Sequence, residues 1–447
     1  MKTKNSLLLG ALLGCLGTAP VLAPGLTIAA SPTEALVAAV TSKTSGPSKK
    51  TGLSKNSGAI VGHDVEFLGI TSFAGDAPDG SGLSGTLEDQ SPVNRIGGFS
   101  AMEYTGDGDR FVLLSDRGAS DGAVSYPCRM HLMNLRLNEA DGAIDAEFAS
   151  TVMLTASDAT TLNGSSKTAT IDRSQSADEI WHAMDPEGIR RWKDGYLISD
   201  EYGPHIGVFS ANGRLNDEWK LPASRRYVHL PEDLQTGGPF RGCFDNKGLE
   251  GLAVTPSSGT VWASYQSSLL QDGEFVDSKC RGDFVRWIAF DPQGRRVREV
   301  AYPLDHRKSG ISELLAVDEN QLLVLERDSK GGEKAKTKRI FLANVSDASD
   351  VAAVESLPID RTGLTGKFDP VQPVKKRLLI DLLQWQDELG AAATAEKPEG
   401  LTWGRPLADG RKTLWICWDN DFEPTRRSYV ACFAVDLSTG STGSGNR

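Results

Sequence analysis

The sequence predicts an all-β fold, a β-propeller built from four-stranded blades. The apolar runs are four to six residues long, rich in Val, Ile and aromatic residues, and bounded by Gly, Asp and Asn, which is typical of short strands. Five segments share one pattern: a carboxylate-rich start, an apolar strand, a turn, and a second strand ending in acidic residues. The intervals from Glu187 to Glu250 and from Glu250 to Glu313 are both 63 residues. A repeated unit of this kind indicates a propeller blade.

The strands of each unit follow from the apolar runs. The first two strands are predicted at 98–102 and 111–117, 187–189 and 196–201, 250–254 and 261–265, 312–316 and 322–328, and 399–403 and 414–421. Third and fourth strands are predicted at 206–209 and 219–221 in the second unit, and at 285–290 and 297–302 in the third. The fifth unit ends after a strand at 429–435, and a strand at 65–73 near the N-terminus has no unit of its own. Joining these two strands would close a ring of five blades, although a sixth could lie in an insertion.

Helices are predicted to be scarce. Only residues 378–389 have helical spacing, and no helix of ten or more residues separates the strands, as a doubly wound parallel sheet would require. The propeller domain is therefore predicted to span residues 59–437.

Composition limits the partners. The 447 residues include 48 Lys and Arg against 59 Asp and Glu, which gives a net charge of −11. This balance argues against a broad nucleic-acid-binding face and favours a cationic ligand or a metal. We expect a monomer that acts on a small molecule.

The N-terminus has the order of a secretory signal. Lys2 and Lys4 precede an apolar run at 7–16, and small residues continue to Ala30. Gly and Pro interrupt the run, so it does not reach the roughly 20 apolar residues of a membrane span. Residues 1–30 are predicted to be a signal peptide that exports the chain to the periplasm or the medium, and a lipid anchor at Cys15 is an alternative. Residues 31–58 and 438–447 read as a flexible linker and a disordered tail.

Export would permit disulfides among the five cysteines that follow the signal. We predict a Cys243–Cys280 disulfide, because these residues precede the first strand and follow the second strand of one blade. Cys128 is predicted to be a free thiol. A cross-strand bridge between Cys417 and Cys432 is a further possibility.

The strand pattern gathers acidic residues at one mouth of the central channel, because the start of strand one and the end of strand two lie side by side. Two carboxylates about 5 Å apart repel by roughly 3 kcal/mol at an effective dielectric near 20, so a cation would stabilise the group. Oxygen ligands without clustered His or Cys favour Ca²⁺, with Mg²⁺ as the alternative. A second interpretation is that each Glu caps its own blade turn. The predicted metal ligands are Glu187, Glu250, Glu313, Glu399, Asp116 and Asp419.

The same mouth carries cationic residues that suit a phosphate. The predicted substrate-binding residues are Arg117, Lys247, Arg327, Lys397 and His205. Ordinary surface ion pairs are the alternative for these cations, and a structural role is the alternative for the histidine. Asp200 and Glu201, at the end of a second strand, are the predicted catalytic acids. The sequence contains no Gly-x-Ser-x-Gly elbow and no phosphate-binding Gly-x-x-x-x-Gly-Lys loop.

Several motifs together resemble the phytase-like β-propeller family known for an esterase-like activity of phytase. They are 185–189 (Asp-Pro-Glu-Gly-Ile) with 199–204, 250–256 (Glu-Gly-Leu-Ala-Val-Thr-Pro), and 397–401 (Lys-Pro-Glu-Gly-Leu) with 419–422. The resemblance implies an exported, calcium-dependent phosphoric ester hydrolase that uses a metal-activated water. It implies metal ligands at Glu187, Glu250 and Glu399, and second-strand acids at Asp200 and Asp419. The Asp-Asp-Pro-Ala and Asn-Asn-Phe-Asp stretches of propeller phytases do not occur, so inositol hexaphosphate is not implied as substrate.

Two other functions stay open from the sequence. A propeller lactonase or esterase would need a metal with an uncharged pocket, and a non-catalytic binding propeller would need neither metal nor cations at the mouth.

Overall fold

The structure is a computed structural model that describes residues 65–174, 181–228, 240–244, 246–276, 279–360 and 371–437. The predicted signal peptide, the lipid-anchor alternative at Cys15, the linker and the C-terminal tail lie outside the described residues. No helix in these ranges is long and apolar enough to cross a membrane.

Five four-stranded antiparallel sheets make up the described chain. The first strand is β1 (Val65–Ala74). Blade 1 contains β2 (Phe99–Tyr104), β3 (Arg110–Ser115), β4 (Arg129–Leu137) and β5 (Ile144–Met153). Blade 2 contains β6 (Pro186–Trp192), β7 (Gly195–Asp200), β8 (His205–Ser210) and β9 (Leu215–Lys220). Blade 3 contains β10 (Leu249–Val254), β11 (Val261–Tyr265), β14 (Phe284–Phe290) and β15 (Arg296–Pro303), and a separate hairpin of β12 (Glu274–Val276) and β13 (Lys279–Arg281) is inserted between β11 and β14.

Blade 4 contains β16 (Gly310–Ala316), β17 (Gln321–Arg327), β18 (Lys338–Asn344) and β19 (Lys375–Asp381). Blade 5 contains β20 (Lys397–Trp403), β21 (Lys412–Asp419) and β22 (Arg427–Val435), and β1 is its fourth strand. The α-helices are α1 (Ser166–Ser174) and α2 (Gln386–Leu389). Short 3₁₀ turns occur at Ala119–Gly122, Ala223–Arg225, Leu270–Asp272, Gly332–Lys334, Leu382–Gln384 and Gly390–Thr394.

The predicted closure of the ring is confirmed. β1 pairs antiparallel with β22, from Val65 opposite Val435 to Ala74 opposite Arg427. The two ends of the propeller chain therefore share one sheet. The structure has five blades and supports the count made from the repeats.

Apolar layers fill the interfaces between neighbouring blades. Phe111 of blade 1 packs with Trp415 of blade 5, and Val112 of blade 1 clusters with Ile198 of blade 2. The largest layer joins blades 2, 3 and 4 and includes Trp287. Because both faces of each sheet are covered, the strands read as nearly continuous apolar runs.

Two sequence predictions need correction at the level of elements. Residues 378–381 belong to strand β19, and only the segment after them turns into a 3₁₀ turn and the four-residue helix α2. The apolar spacing there results from a strand followed by a tight turn.

The predicted disulfide is also corrected. All five described cysteines are free and buried, including Cys243 and Cys280, whereas the free thiol predicted at Cys128 is confirmed. Cys280 lies on the β12–β13 hairpin, and its Sγ donates to the carbonyl of Leu269 at 3.2 Å. Cys417 lies opposite Val430 in the sheet, so it is not in register with Cys432.

A register shift recurs at the start of the first strand of every blade. It falls between Phe99 and Ala101, Pro186 and Ile189, Leu249 and Leu252, Ile311 and Glu313, and Pro398 and Gly400. A β-bulge of this kind redirects one side chain out of the regular alternation. The five bulges lie at the same mouth of the channel and define the residues that face it.

Candidate functional site

The bulges place three of the four predicted glutamates in equivalent positions. Glu187, Glu250 and Glu399 occupy the bulges of blades 2, 3 and 5. Ser100 and Ser312 occupy the bulges of blades 1 and 4. The five bulge positions therefore carry three carboxylates and two hydroxyls.

Glu313 differs from the other three glutamates. It lies one residue beyond its bulge, where blade 5 has Gly400. Its Oε1 accepts the backbone N–H groups of Leu252 at 3.0 Å and Leu314 at 2.9 Å, and its Oε2 lies 3.0 Å from Arg190 Nη2. Burial raises the pKa of Glu313 to about 8. The capping interpretation therefore describes Glu313, and its predicted equivalence to the other glutamates is corrected.

Glycine occupies the corresponding position of blades 2, 3 and 5 (Gly188, Gly251 and Gly400), where the innermost strands approach closely, and blade 1 has Ala101 there. A Cβ on Gly400 would lie 2.8 Å from the Cα of Ala101, and one on Gly251 would lie 2.6 Å from the Cα of Glu313. These distances are shorter than van der Waals contact, so a side chain would push the blades apart. In each Glu-Gly pair, the glutamate therefore faces the mouth, and the glycine that follows it allows two neighbouring blades to approach closely.

The tightest group of carboxylates is formed by Asp185, Glu187 and Glu201. One oxygen of each lies within 4.8 Å of the others, and all three residues are buried. Asp185 precedes β6, Glu187 lies on its bulge, and Glu201 follows β7. The backbone N–H of Glu201 donates to the carbonyl of Asp185 at 3.0 Å, which holds the two segments together. We call these three residues the acidic cluster.

Arg117 partly neutralises the acidic cluster. Its backbone N–H donates to Asp185 Oδ1 at 3.1 Å, and its guanidinium contacts Asp185 Oδ2 and lies 3.4 Å from Glu201 Oε2. The same guanidinium contacts Asn246 and Asp121. Burial lowers the pKa of Arg117, but the surrounding carboxylates outweigh it and raise the pKa above its usual value. Arg117 is therefore charged and fixed at the edge of the cluster.

Two acceptors in the acidic cluster lack protein donors. Glu201 is only 2% exposed, and its Oε1 has no hydrogen-bond partner. Glu187 is 8% exposed, and its carboxylate makes no hydrogen bond or ion pair to any described residue. Buried carboxylate oxygens normally accept a hydrogen bond or bind a cation. Three oxygen donors without His or Cys fit a hard divalent cation such as Ca²⁺ or Mg²⁺.

The electrostatics of the mouth show the cost of this crowding. Burial, followed by the repulsion of Glu250 and Asp185, raises the pKa of Glu187 well above its usual value. Burial, followed by the charges of Glu201 and Glu399, also raises the pKa of Glu250 well above its usual value. Burial raises the pKa of Glu201 to about 7 against the opposing charge of Lys247. A bound cation would lower all three pKa values and keep these groups ionised.

The remaining bulge glutamates have partners of their own. Glu250 is held by the side-chain amide of Gln266. Glu399 receives a two-pronged ion pair from Arg327, whose Nε also lies 3.0 Å from the Ser312 hydroxyl. Arg327 is thus engaged within the ring.

Asp116, Asp419 and Lys397 form a second charged group on the blade 1 and blade 5 side. Lys397 Nζ lies 3.0 Å from Asp419 Oδ2 and also contacts Asp421. Burial, followed by the charge of Asp419, raises the pKa of Asp116 well above its usual value. Asp116 Oδ1 accepts the backbone N–H of Gly118 at 2.9 Å, which fixes the turn after β3. The structure does not bring Asp116 and Asp419 into the acidic cluster.

Asp200 and His205 lie beneath the acidic cluster. Asp200 is completely buried; its Oδ1 accepts the backbone N–H of Asp185 at 2.8 Å and of Tyr202 at 3.2 Å, and its Oδ2 lies 3.2 Å from His205 Nδ1. Asp200 therefore positions the Asp185 segment. Burial lowers the pKa of His205, but Asp200 and Glu218 outweigh it, and the net shift is upward.

His205 lines a cavity of about 340 Å³ with Trp181 and Arg226.

Lys247 is the predicted cation that stays without a carboxylate partner among the described residues. It lies near both Glu201 and Glu250, since its charge lowers the pKa of each. Its ammonium group donates to the carbonyl of Asn246. Lys247 is therefore available to an anion at the mouth.

Asp185 is a site residue that the sequence pattern did not single out. The Asp-Pro-Glu motif contained it, but only the Glu recurs at the repeat interval, and repeat position was the criterion for choosing ligands. No other blade has an aspartate at the position equivalent to Asp185, so the acidic cluster is a feature of blade 2 alone.

A secreted, uncharacterized protein of Arthroderma benhamiae is 28% identical over 187 residues, which covers 34% of this chain and 36% of that protein. The match thus spans about a third of the relative. Among solved structures, the Malassezia sympodialis allergen Mala s 1 is similar with 12% identity and a TM-score of 0.32, covering 76% of this chain and 77% of that one. A family 43 arabinoxylan arabinofuranohydrolase from Bacillus subtilis has 11% identity and a TM-score of 0.36, covering 80% and 66%.

The family comparison covers well over half of the chain. Residues 94–422 match the phytase-like family described as having the esterase-like activity of phytase. This range contains all five bulges and the acidic cluster. The chain belongs to this phytase-like family.

Proposed function

We propose that this protein is an exported phosphoric ester hydrolase that depends on a divalent cation, Ca²⁺ in the first place and Mg²⁺ as the alternative. The observation that carries the proposal is the buried cluster of Asp185, Glu187 and Glu201, in which the Glu187 carboxylate and the Oε1 atom of Glu201 lack protein donors. Membership in a family with phytase-related esterase activity supports ester hydrolysis as the reaction.

The three carboxylates would hold the metal in this proposal. A bound cation supplies positive charge to the phosphoryl oxygens and makes the attacking water more acidic. The protein keeps Asp185 in place through Asp200, which accepts the Asp185 backbone N–H. Glu187 and Glu201 are held by the bulge of β6 and the end of β7.

Hydrolysis needs a proton acceptor and a binding site for the phosphate. Glu201 Oε1, which has no partner, would accept a proton as the water oxygen forms its bond to phosphorus. The ester P–O bond then breaks, and the leaving alkoxide takes up the proton that Glu201 accepted from the water. Lys247 would contact the phosphate oxygens, and the fixed charge of Arg117 would add to the positive field there, which selects a small anionic substrate.

The cations favour a phosphate ester over a lactone or a carboxylic ester. Lys247 lies beside the acidic cluster and has no carboxylate partner of its own among the described residues. A lactone offers no negative charge for this lysine to bind. Arg327 and Lys397 are engaged by Glu399 and Asp419, so they contribute to the field of the mouth and are not needed as direct contacts.

The test is an assay of the purified protein on 4-nitrophenyl phosphate, phytate, 4-nitrophenyl acetate and a lactone, with Ca²⁺ and with a chelator. We expect calcium-dependent release of phosphate and none with the chelator. Glu187→Gln should lower kcat/KM and calcium affinity by about tenfold or more. Glu313→Gln is the matched control, since this buried glutamate caps backbone N–H groups. It should cost about 1 kcal/mol of stability and leave calcium affinity unchanged.

If wild type and Glu187→Gln had equal calcium affinity and released phosphate equally fast, the acidic cluster would not be the metal site. Turnover of the acetate or the lactone alone would support the other hydrolase function. Absence of turnover on all four substrates with calcium bound would indicate a binding propeller.

Export is a separate part of the proposal. The Arthroderma benhamiae relative is described as secreted, and residues 1–30 have the order of a signal peptide. N-terminal sequencing of protein recovered outside the cytoplasm of a bacterial host should show cleavage near Ala30. Cleavage before Cys15 with retention in the membrane would favour the lipoprotein alternative.

A further inference from the structure

The central channel has a second mouth on the face opposite the acidic cluster. The innermost strands β2, β6, β10, β16 and β20 begin at the acidic mouth and end at this opposite face. Their C-terminal ends surround a cavity of about 530 Å³. A volume of this size is typical of sites for small organic molecules.

Two tryptophans form rigid walls of this cavity. Trp403 is half-buried, and its Nε1 donates to the carbonyl of Ala316 at 2.7 Å, which fixes the orientation of the indole ring. Trp192 packs edge-on against Trp219, with ring centroids 5.7 Å apart at 90°. Val254 and Leu315 add aliphatic surface. The walls are suited to a flat apolar body.

Three cations at the rim have no carboxylate partner. Arg191, Lys193 and Lys412 line the cavity, and none of them forms an ion pair with any described residue. Lys412 Nζ lies 4.8 Å from the ring centroid of Trp403, and Lys193 Nζ lies 5.7 Å from that of Trp192. In a chain of net charge −11, three unpaired cations around one cavity indicate a site for negative charge.

The floor of the cavity contains a buried arginine with a donor to spare. Arg190 is 3% exposed; it lies 3.0 Å from Glu313 and donates to the carbonyl of Met102 at 3.3 Å, but its Nε has no partner. Because Arg190 also contacts the carbonyl of Leu314, it reaches across the channel from blade 2 to blade 4. Burial raises the pKa of Glu103, the other carboxylate of the floor.

We propose that this cavity binds a small aromatic anion, an aryl carboxylate in its simplest form. The ring lies against Trp192 and Trp403, and the anionic group faces Arg190 and the rim lysines. Apolar walls, a cationic rim and an unpartnered buried donor are the features that distinguish an organic-anion site from an ordinary channel end. This site is separate from the proposed hydrolytic site and does not depend on a metal.

The test is isothermal titration calorimetry of the protein with 1-naphthoate and with its neutral counterpart 1-naphthamide. We expect one site for naphthoate and an affinity for the amide that is lower by about tenfold or more. The double variant K193Q/K412Q should lose about tenfold or more in naphthoate affinity. Lys375→Gln is the matched control, because this exposed lysine of β19 pairs with Asp347 at 2.7 Å and lies away from the cavity. It should bind naphthoate like wild type.

Two further measurements separate this site from the acidic mouth. Glu187→Gln should bind naphthoate like wild type, and K193Q/K412Q should keep the calcium-dependent activity of the wild type. Equal affinity for the acid and the amide, unchanged naphthoate affinity in K193Q/K412Q, or loss of naphthoate binding in Glu187→Gln would each overturn the proposal. Failure of the hydrolase proposal would appear in the phosphate assay and would leave these titrations unaffected.

Discussion

At the scale of single residues, burial of His131 inside blade 1 makes the stability of the fold depend on pH in the acidic range. It is fully buried on β4, between the rings of Phe99 and Phe148, and its Nδ1 lies 2.9 Å from the Thr151 hydroxyl. Its Nε2 has no hydrogen bond and lies 3.9 Å from Asp79, which Arg129 already pairs at 2.8 Å. Burial lowers the pKa of His131 to about 4.

The first prediction concerns this histidine. An unfolded chain protonates a histidine near pH 6.5, whereas the folded state keeps His131 neutral down to about pH 4. Its contribution to stability is therefore complete above pH 6.5 and is lost as the pH falls to about 4, by about 3 kcal/mol. Urea titrations at pH 7, 5.5 and 4 should show this extra loss in wild type and not in His131→Gln. His306→Gln, at an exposed position, should keep the loss; the same loss in His131→Gln would contradict the assignment.

Asp200 provides a second prediction at this scale. Its carboxylate accepts the N–H of Asp185 and thereby orients a residue of the acidic cluster. Asp200→Asn replaces one acceptor oxygen by a donor, so it should lower calcium affinity by about 10- to 100-fold without removing a ligand. Asp419→Asn removes a charge from the second charged group of the mouth, on the blade 1 and blade 5 side. This variant should leave calcium affinity unchanged. A stronger effect of Asp419→Asn than of Asp200→Asn would place the metal on the blade 5 side.

The residue scale also shows how far repeat spacing predicts a site. Equal intervals of 63 residues suggested that Glu187, Glu250 and Glu313 are equivalent. The register shift in blade 4 gives that place to Ser312, and a displacement of one residue turns Glu313 away from the mouth. Bulge position depends on the pairing of two strands, which spacing alone does not reveal.

At the scale of elements, blade 3 contains a buried ionic network. Arg286 on β14 is fully buried and pairs with Asp272 at 2.6 and 2.9 Å and with Glu299 at 3.2 Å. Arg225 also pairs with Glu299, at 3.0 Å. Arg286 donates further to the carbonyls of Val351 and Val354. The network therefore joins the strands of the blade to the segment that follows blade 4's third strand.

The third prediction tests this network. Arg286→Met would leave Asp272 buried without its partner, so it should cost about 3–5 kcal/mol of unfolding free energy. Arg295→Met is the matched control in the same blade, because Arg295 is exposed and pairs with Asp291 on the surface. It should cost about 0–1 kcal/mol.

The Arg286→Met/Asp272→Leu double variant should recover part of the loss, since it removes the unpaired charge. If the double variant lost more unfolding free energy than the two single variants lose together, the network would not act through this pair. Chemical denaturation of the four proteins measures the cycle.

The elements that the sequence predicts well are those with a local signal. Strand pairs with a short turn, such as β6 and β7, follow directly from apolar runs and turn residues. The disulfide prediction took Cys280 to follow the second strand of the blade directly, whereas Cys280 lies on the hairpin β12–β13 that is inserted between β11 and β14 and is a free thiol. The three-residue strands of this hairpin have no apolar run that could be recognised.

At the scale of the whole molecule, the ring is closed by one strand from the N-terminal side. Pairing of β1 with β22 extends over nine pairs of residues, and Phe67 packs edge-on against Phe433 with ring centroids 5.5 Å apart. The sequence predicted this closure because an unassigned strand and an incomplete blade complement each other. The fold was therefore more predictable than the site: closure depends on strand number, whereas the site depends on bulge register and on one non-repeating aspartate.

The last prediction concerns this closure. Deletion of residues 2–75 removes β1, uncovers the backbone edge of β22, and exposes apolar side chains such as Phe433. It should cost at least about 3 kcal/mol, lower the Tm by several degrees, and favour self-association through the open edge. Deletion of residues 2–58 retains every described strand and should melt like the full chain. Calorimetry and size-exclusion chromatography of the two truncations distinguish the cases. Equal melting of both would mean that β22 does not need its partner and that four complete blades with an incomplete fifth are stable without closure.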